Sequence, residues 1–303
     1  MSNKTNFKVL LYYKYVEIKN PEEVMYSQKA ICEKLKIKGR IIVAKEGING
    51  TVEGKEKDVK KYIEFMRKSE YFSDVIFKIS DGTGNAFPRL SVKVRSEVVT
   101  AGLPDLNPNK TTGKYLSHEE LHSWFKEKKE FYIVDMRNDY EFISGHFEGS
   151  INPEFANFRD LPSILPKLDH LRNKTILTVC TGGIRCEKAS GFLVENGFSD
   201  VYQLKDGIQT YMENYPNEHF KGKLYVFDGR ITIGFNTDSE NHEVIGKCDK
   251  CGVACDSYVN CENLGCHRHF ICCEECRESE TGLAFCNEDC KKRFIERNHS
   301  TVI

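Results

Sequence analysis

Two arrangements of cysteine in this 303-residue chain have the residue types and spacing for chemistry. The first is Cys180-Thr-Gly-Gly-Ile-Arg185, which directly follows the apolar run Thr175-Ile-Leu-Thr-Val179. A helical pattern begins immediately after it, so Cys180 falls in a strand-to-helix loop. Gly182 and Gly183 let the backbone curl until successive N–H groups point inward, and the helix adds its positive N-terminal end. Such a cradle favours thiolate over thiol and can hold an anionic group on the sulfur. Arg185 adds a fixed positive charge. Cys180 is therefore expected to be the catalytic nucleophile, with Gly182, Gly183 and Arg185 as substrate-binding residues. A buried cysteine at a strand end is the bland alternative. The paired glycines, the arginine and the carboxyl end of a parallel strand, where α/β sheets place ligands, weigh against it.

Spacing separates two chemistries that use such a loop. Four residues lie between Cys180 and Arg185, and Cys186 stands where a cysteine phosphatase would place its arginine. The tighter loop suits a persulfide sulfur better than a tetrahedral phosphate. Cys186 either resolves an oxidised Cys180 or is an inward-packed residue at the helix start.

The second arrangement lies near the C-terminus, where ten of the thirteen cysteines fall between Cys248 and Cys290. Four pairs stand out: Cys248 and Cys251, Cys261 and Cys266, Cys273 and Cys276, Cys286 and Cys290. Each pair offers two thiolates from one turn, and zinc takes four soft ligands tetrahedrally, so the pairs make two structural sites with no open position for water. Interleaved pairing, first with third and second with fourth, and sequential pairing are equally allowed. Cys255, Cys272, His267 and His269 are spare candidates. An iron–sulfur cluster also accepts four cysteines, but pairs split across about 40 residues favour zinc.

The elements that must position these residues can be read from periodicity. Residues 1–110 give strands at FKVLLYYKYV, around RIIVAKEGINGTVEG and at VIFKI, with helices from Pro21 to about Leu35 and from Lys55 to Lys68. The order β-α-β-β-α-β is the ferredoxin-like pattern, with a turn expected at Asn49-Gly50. Cys32, on the first helical pattern, reads as a buried small apolar residue. Leu103 to Gly113, rich in turn formers, marks a boundary. From Lys114, a capping box at Ser117 to Glu120, a buried strand at Phe131 to Asp135, the TILTV strand and a helix over Glu187 to Glu195 describe an α/β unit with a parallel sheet. The fold class is thus multidomain α/β and α+β: a ferredoxin-like domain at 1–110, an α/β domain at 114–221 and a small zinc-binding module at 222–303.

The formal charge of −1 conceals an asymmetry. Residues 1–110 hold 21 basic against 14 acidic side chains, an excess of +7, whereas 111–221 and 222–303 are each at −4. A basic domain on a neutral chain points to an anionic partner such as nucleic acid, against the plainer reading of a solvated lysine-rich surface. Lys45, in the AKEGING segment, is a candidate phosphate contact. With 40% apolar and 29% charged residues, and no uncharged run near the roughly 20 residues that span a bilayer, the chain is expected to be globular and cytoplasmic.

Asp135-Met-Arg137, Glu141-Phe142, Gly145-His146 and Gly149-Ser-Ile-Asn152, together with CTGGIR, resemble the rhodanese family over about Lys114 to Pro216. Asp135, Arg137, Glu141 and His146 are expected to brace the loop. The whole chain, with GRIIVAKEGINGTVEG, CTGGIRCEK and the cysteine-rich tail, is similar to the tRNA uridine hydroxylase family. That resemblance implies oxygen-dependent conversion of the wobble uridine of tRNA to 5-hydroxyuridine, with tRNA as partner, molecular oxygen as co-substrate and Cys180 at the rhodanese cysteine position. No flavin G-x-G-x-x-G, His/carboxylate iron triad or haem signature is apparent. A persulfide sulfurtransferase and a non-catalytic RNA-binding protein are the alternatives.

Overall fold

The computed structural model describes residues 6–266 and 268–299. Its first elements are β1 (Phe7–Tyr15), α1 (Pro21–Lys34), β2 (Lys38–Ala44), β3 (Gly47–Lys55), α2 (Glu56–Arg67), β4 (Phe77–Asp81) and β5 (Leu90–Val94). The strands form one sheet in the order β4-β1-β3-β2-β5, antiparallel except for the β2-β5 pair. This is the expected β-α-β-β-α-β arrangement with a fifth edge strand that periodicity did not reveal. Side chains alternate across a strand. Leu10 and Tyr12 of β1 accordingly join Val59, Tyr62 and Met66 of α2 in the core, while Leu11 and Tyr13 take the other face. Cys32 is fully buried in that core, and burial pushes its thiol up to about 12.

The hairpin turn is at Lys45-Glu46, and Asn49-Gly50 lies inside β3 opposite Ile42 and Ile41. This corrects the turn expected from the Asn-Gly dipeptide. Gly50 is there for space: a Cβ would lie 2.3 Å from the Tyr12 ring. The Asn49 amide instead donates to the Val98 carbonyl at 3.0 Å.

The next elements are β6 (Lys114–Leu116), α3 (His118–Lys126), β7 (Tyr132–Asp135), α4 (Asp139–Phe142), β8 (Gly145–Phe147), α5 (Leu165–Leu168), β9 (Thr175–Val179), α6 (Ile184–Glu195), β10 (Asp200–Leu204) and α7 (Gly207–Asn214). The capping box forms, with Ser117 and Glu120 exchanging both bonds. Strands β6-β10-β9-β7 make a parallel sheet in that order. Ile176, Leu177 and Val179 of the inner strand β9 are fully buried.

Helix α6 is enclosed on its polar face too, because the N-terminal domain and the 103–113 segment cover it. Glu187 accepts from Tyr13, Tyr115 and Gln203, and Lys188 pairs with Glu46 at 2.9 Å and Glu97 at 2.7 Å. The turn-rich segment read as a boundary is packed here: Gly113 N–H donates to Ser190, and a Cβ on Gly191 would meet the Thr111 carbonyl at 2.3 Å.

The chain divides into two compact units. One runs to Asn138 and takes in Gly149–Tyr215 and Val226–Ile231, so it joins the N-terminal sheet to the parallel sheet. The other comprises Asp139–Glu148, Pro216–Tyr225 and the chain from Thr232 on. It holds α4, β8 and the remaining elements, β11 (Phe220–Gly222), β12 (Leu224–Tyr225), β13 (Thr232–Ile233), β14 (Tyr258–Asn260), β15 (His269–Ile271) and α8 (Glu288–His299). Its three two-stranded ribbons are β8 with β11, β12 with β13 and β14 with β15. Its apolar cluster consists largely of cysteines, with Phe270, Ala284 and Phe285.

Candidate active site and cysteine clusters

Cys180 stands at the carboxyl end of β9, fully buried beneath its loop, and lines a cavity of about 260 Å³. The loop backbone is fixed from two sides. The first amides of α7 donate to it, Ile208 to the Cys180 carbonyl at 2.9 Å and Gln209 to the Thr181 carbonyl at 3.1 Å. Gly207, at φ +74°, has its Cα pressed against the loop, where a Cβ would lie 2.7 Å from both Gly182 C and Gly183 N. From the other side Leu11 and Tyr13 pack on it, so a Cβ at Gly182 or Gly183 would lie 2.9 or 2.8 Å from them. Gly183 is left-handed at φ +101°, and its N–H donates to Cys180 Sγ at 3.2 Å.

The electrostatics follow from this enclosure. Burial alone would raise the Cys180 thiol. Hydrogen bonding from the Cys186 thiol, the Arg185 charge and the Cys186 and Arg185 amides outweigh it and lower the thiol to about 6. Cys186, also fully buried, is pushed well above its ordinary value by burial and by the neighbouring thiolate. It acts as a donor to Cys180. Arg185 lies with its Cζ 5.6 Å from the Phe227 ring centre and donates to Thr181 Oγ1 at 3.4 Å.

Of the expected residues, Cys180, Gly182 and Arg185 line one cavity, and Gly183 joins them through its N–H on Cys180 Sγ. Its opposite wall comes from the N-terminal sheet: Leu11, Arg40, Asn49 and Thr51. Sequence reasoning missed this wall, Arg40 above all. Arg40 is exposed and has no ion-pair partner among the described residues. Its signal was slight: alternation along RIIVA puts Arg40 and Ile42 on one face. Lys45 lines a different cavity, beside Glu17, Glu46 and Asp105. Asp135 and Arg137, both without exposure, form a bidentate pair at the carboxyl end of β7, with Arg137 Nη2 2.6 Å from Asp135 Oδ2. In the other unit Glu141 is fully buried and His146 Nδ1 lies 2.9 Å from the Phe142 carbonyl.

The eight paired cysteines form two groups, Cys248/Cys251/Cys273/Cys276 and Cys261/Cys266/Cys286/Cys290, the sulfurs of each lying within 4.8 Å of one another. Of the two pairings the sequence allowed, the fold takes the interleaved one. Four sulfurs tetrahedrally placed at about 2.3 Å from a zinc ion stand about 3.8 Å apart. Cys251 and Cys273 at 3.6 Å, Cys266 and Cys286 at 3.5 Å and Cys286 and Cys290 at 3.6 Å fit that geometry. Both groups can therefore hold a metal ion. Cys255 and Cys272 stand outside them, His269 Nδ1 lies 3.1 Å from the Tyr225 hydroxyl, and His267 falls outside the described residues.

The fold and site define a rhodanese-domain protein with an added N-terminal domain. Residues 7–98 match the UPF0176 acylphosphatase like domain, 117–214 the rhodanese-like domain and 221–291 the rhodanase C-terminal family. Full-length relatives narrow this further. A tRNA uridine(34) hydroxylase of Bacillus cytotoxicus is 41% identical over 99% of this chain and 94% of its own. One of Bacillus cereus is 43% identical over 100% and 94%, and one of Staphylococcus haemolyticus 43% over 97% and 93%. The chain belongs to the tRNA uridine(34) hydroxylase family. No helix among the described residues is long and apolar enough to cross a membrane.

Proposed function

We propose that the protein hydroxylates the wobble uridine of tRNA at carbon 5, in the cytoplasm, with molecular oxygen as co-substrate and Cys180 as nucleophile. The observation that supports this reading is a reactive thiol in a cavity walled partly by the basic N-terminal sheet, in a chain similar end to end to named tRNA uridine(34) hydroxylases. A cavity of this size admits a base but not a helix, so the uridine enters extruded from the anticodon stack. Arg40, unpaired at the rim, is placed to take a backbone phosphate. Addition of the Cys180 thiolate to carbon 6 of uracil makes carbon 5 nucleophilic towards an oxygen oxidant. One oxygen atom goes to carbon 5 and the other leaves as water, reduced by an external two-electron donor. Loss of the carbon 5 proton and expulsion of the thiolate then restore the ring. Gly182, Gly183 and Arg185 hold the anionic sulfur before and after.

The two cysteine groups are assigned as structural zinc sites, about two ions per chain, since thiolate sets without an open position brace a fold rather than turn over substrate. The chain is read as domains 1–110, 114–221 and 222–303. Mass spectrometry of tRNA from a strain lacking the gene tests the reading. Loss of 5-hydroxyuridine, restored by the intact gene, is expected. Loss of a thiolated nucleoside in its place would identify a sulfurtransferase, and unchanged tRNA would point to binding without catalysis.

A further inference from the structure

The β4 strand of the N-terminal domain sends one side chain into the Cys180 loop that neither the zinc sites nor the base cavity needs. Lys78 is 7% exposed, an unusual setting for a lysine. Its Nζ donates to the Gly182 carbonyl at 3.0 Å, lies 3.4 Å from Asp206 Oδ1 and sits 5.5 Å from the Tyr13 ring centre. The Gly182 carbonyl and the Gly183 N–H belong to one peptide unit, and that N–H is the one bonded to Cys180 Sγ at 3.2 Å. The result is a chain from ammonium to carbonyl, through the peptide, to N–H and sulfur.

We propose that Lys78 is a positioning residue for the cysteine: its ammonium orients and polarises the Gly182–Gly183 peptide so that the Gly183 N–H donates more strongly to Cys180 and favours the thiolate. The inference rests on the reading of Cys180 as the reacting thiol. Two physical effects act together. A cation on a carbonyl oxygen strengthens the donor at the other end of the same amide, and hydrogen-bond chains polarise cooperatively in a low-dielectric interior. The bond also adds to the packing of Gly207, Leu11 and Tyr13 in holding one orientation of the diglycine peptide. Burial pulls Lys78 below its ordinary value, and Asp206 opposes that and supports the charged form. The other groups facing Cys180 are Arg185 and Cys186 on α6 and the neutral Tyr13 and Tyr15 on β1, with Glu187 beyond them and Glu213 of α7 near Lys78. Lys78 differs from them in donating directly to the Gly182 carbonyl.

The experiment is iodoacetamide alkylation of Cys180 across pH in the zinc-loaded full chain, quantified at that residue by peptide mass spectrometry. Thiolate ultraviolet absorbance, taken as the difference from Cys180→Ser, provides a second measure. Lys78→Met should move the midpoint up by about one unit and slow alkylation about tenfold below the original midpoint. Lys78→Arg, which keeps a cationic donor, should stay within about twofold of the parent. A folded Lys78→Met protein with an unmoved midpoint would overturn the proposal. Because Lys78→Met strands Asp206, whose charge alone would raise the midpoint, Lys78→Met with Asp206→Asn is the decisive control. A midpoint that stays high in this double variant shows that Lys78 itself, through the peptide and through its charge near Cys180, favours the thiolate, and a return to the parent value refutes it. The double variant also carries the test if Lys78→Met alone does not fold. Alkylation is independent of tRNA chemistry, so 5-hydroxyuridine that persists in tRNA from the deletion strain would sink the functional reading and leave these profiles standing.

Discussion

At Cys180 a single sulfur sits in a cradle of backbone N–H groups, a thiol donor and an arginine. In the C-terminal unit, four sulfurs crowd together twice in a small apolar cluster with Phe270, Ala284 and Phe285. The first setting stabilises one negative charge and leaves the sulfur facing a cavity. The second brings four like charges to one point, which is tolerable only when a cation neutralises them. Reactivity in this chain therefore follows from how few thiolates share a site.

That contrast can be broken in order of effect. Cys180→Ser should reduce 5-hydroxyuridine to background while zinc content and thermal melting stay at parental values; an active Cys180→Ser protein would end its role as nucleophile. Cys273→Ser or Cys286→Ser should do the reverse at first instance, lowering zinc from two to about one per chain and destabilising the C-terminal unit. Elemental analysis settles this, and iron or a markedly lower zinc content in the parent would refute the assignment.

Smaller changes sharpen the picture of the cradle. Cys180 alkylation should be half-maximal near pH 6, against about 8.5 for a free thiol, because the folded thiol lies below its ordinary value and the thiolate is lost only as pH falls through that point. Arg185→Ala should raise the midpoint and slow modification; identical alkylation profiles would contradict it. The weakest effects belong to the tRNA surface. Affinity should fall steeply with salt as phosphates release counterions. Arg40→Ala should weaken binding and reduce the salt slope by about one, with Lys45→Glu changing Kd less, since Lys45 has acidic neighbours. A salt-insensitive affinity would move the contacts elsewhere.

The loop around Cys180 was legible because strand, glycines, arginine and helix start are consecutive in the chain, so local rules suffice. The cysteine pairs were legible for the same reason, but their interleaving was not, since it depends on which turns the fold brings together. Arg40 and Lys78 were illegible for a related cause: each is an ordinary strand residue until a second sheet is packed against it. Asn49-Gly50 misled because residues suited to turns were required by long-range contacts instead, Gly50 by the Tyr12 ring and Asn49 by the Val98 carbonyl.

Lys188, without any exposure between Glu46 and Glu97, has a consequence for how this chain can change over generations. Its three charges come from a hairpin, a connecting segment and a helix that also carries Cys186. A substitution that removes Lys188 leaves two facing carboxylates without a cation, at a cost of roughly 3–5 kcal/mol, whereas loss of either glutamate leaves a matched pair. A central domain carrying this lysine, grafted without a hairpin and connector that supply a carboxylate, should therefore fold less stably, which ties the sequences of the two cavity walls to each other.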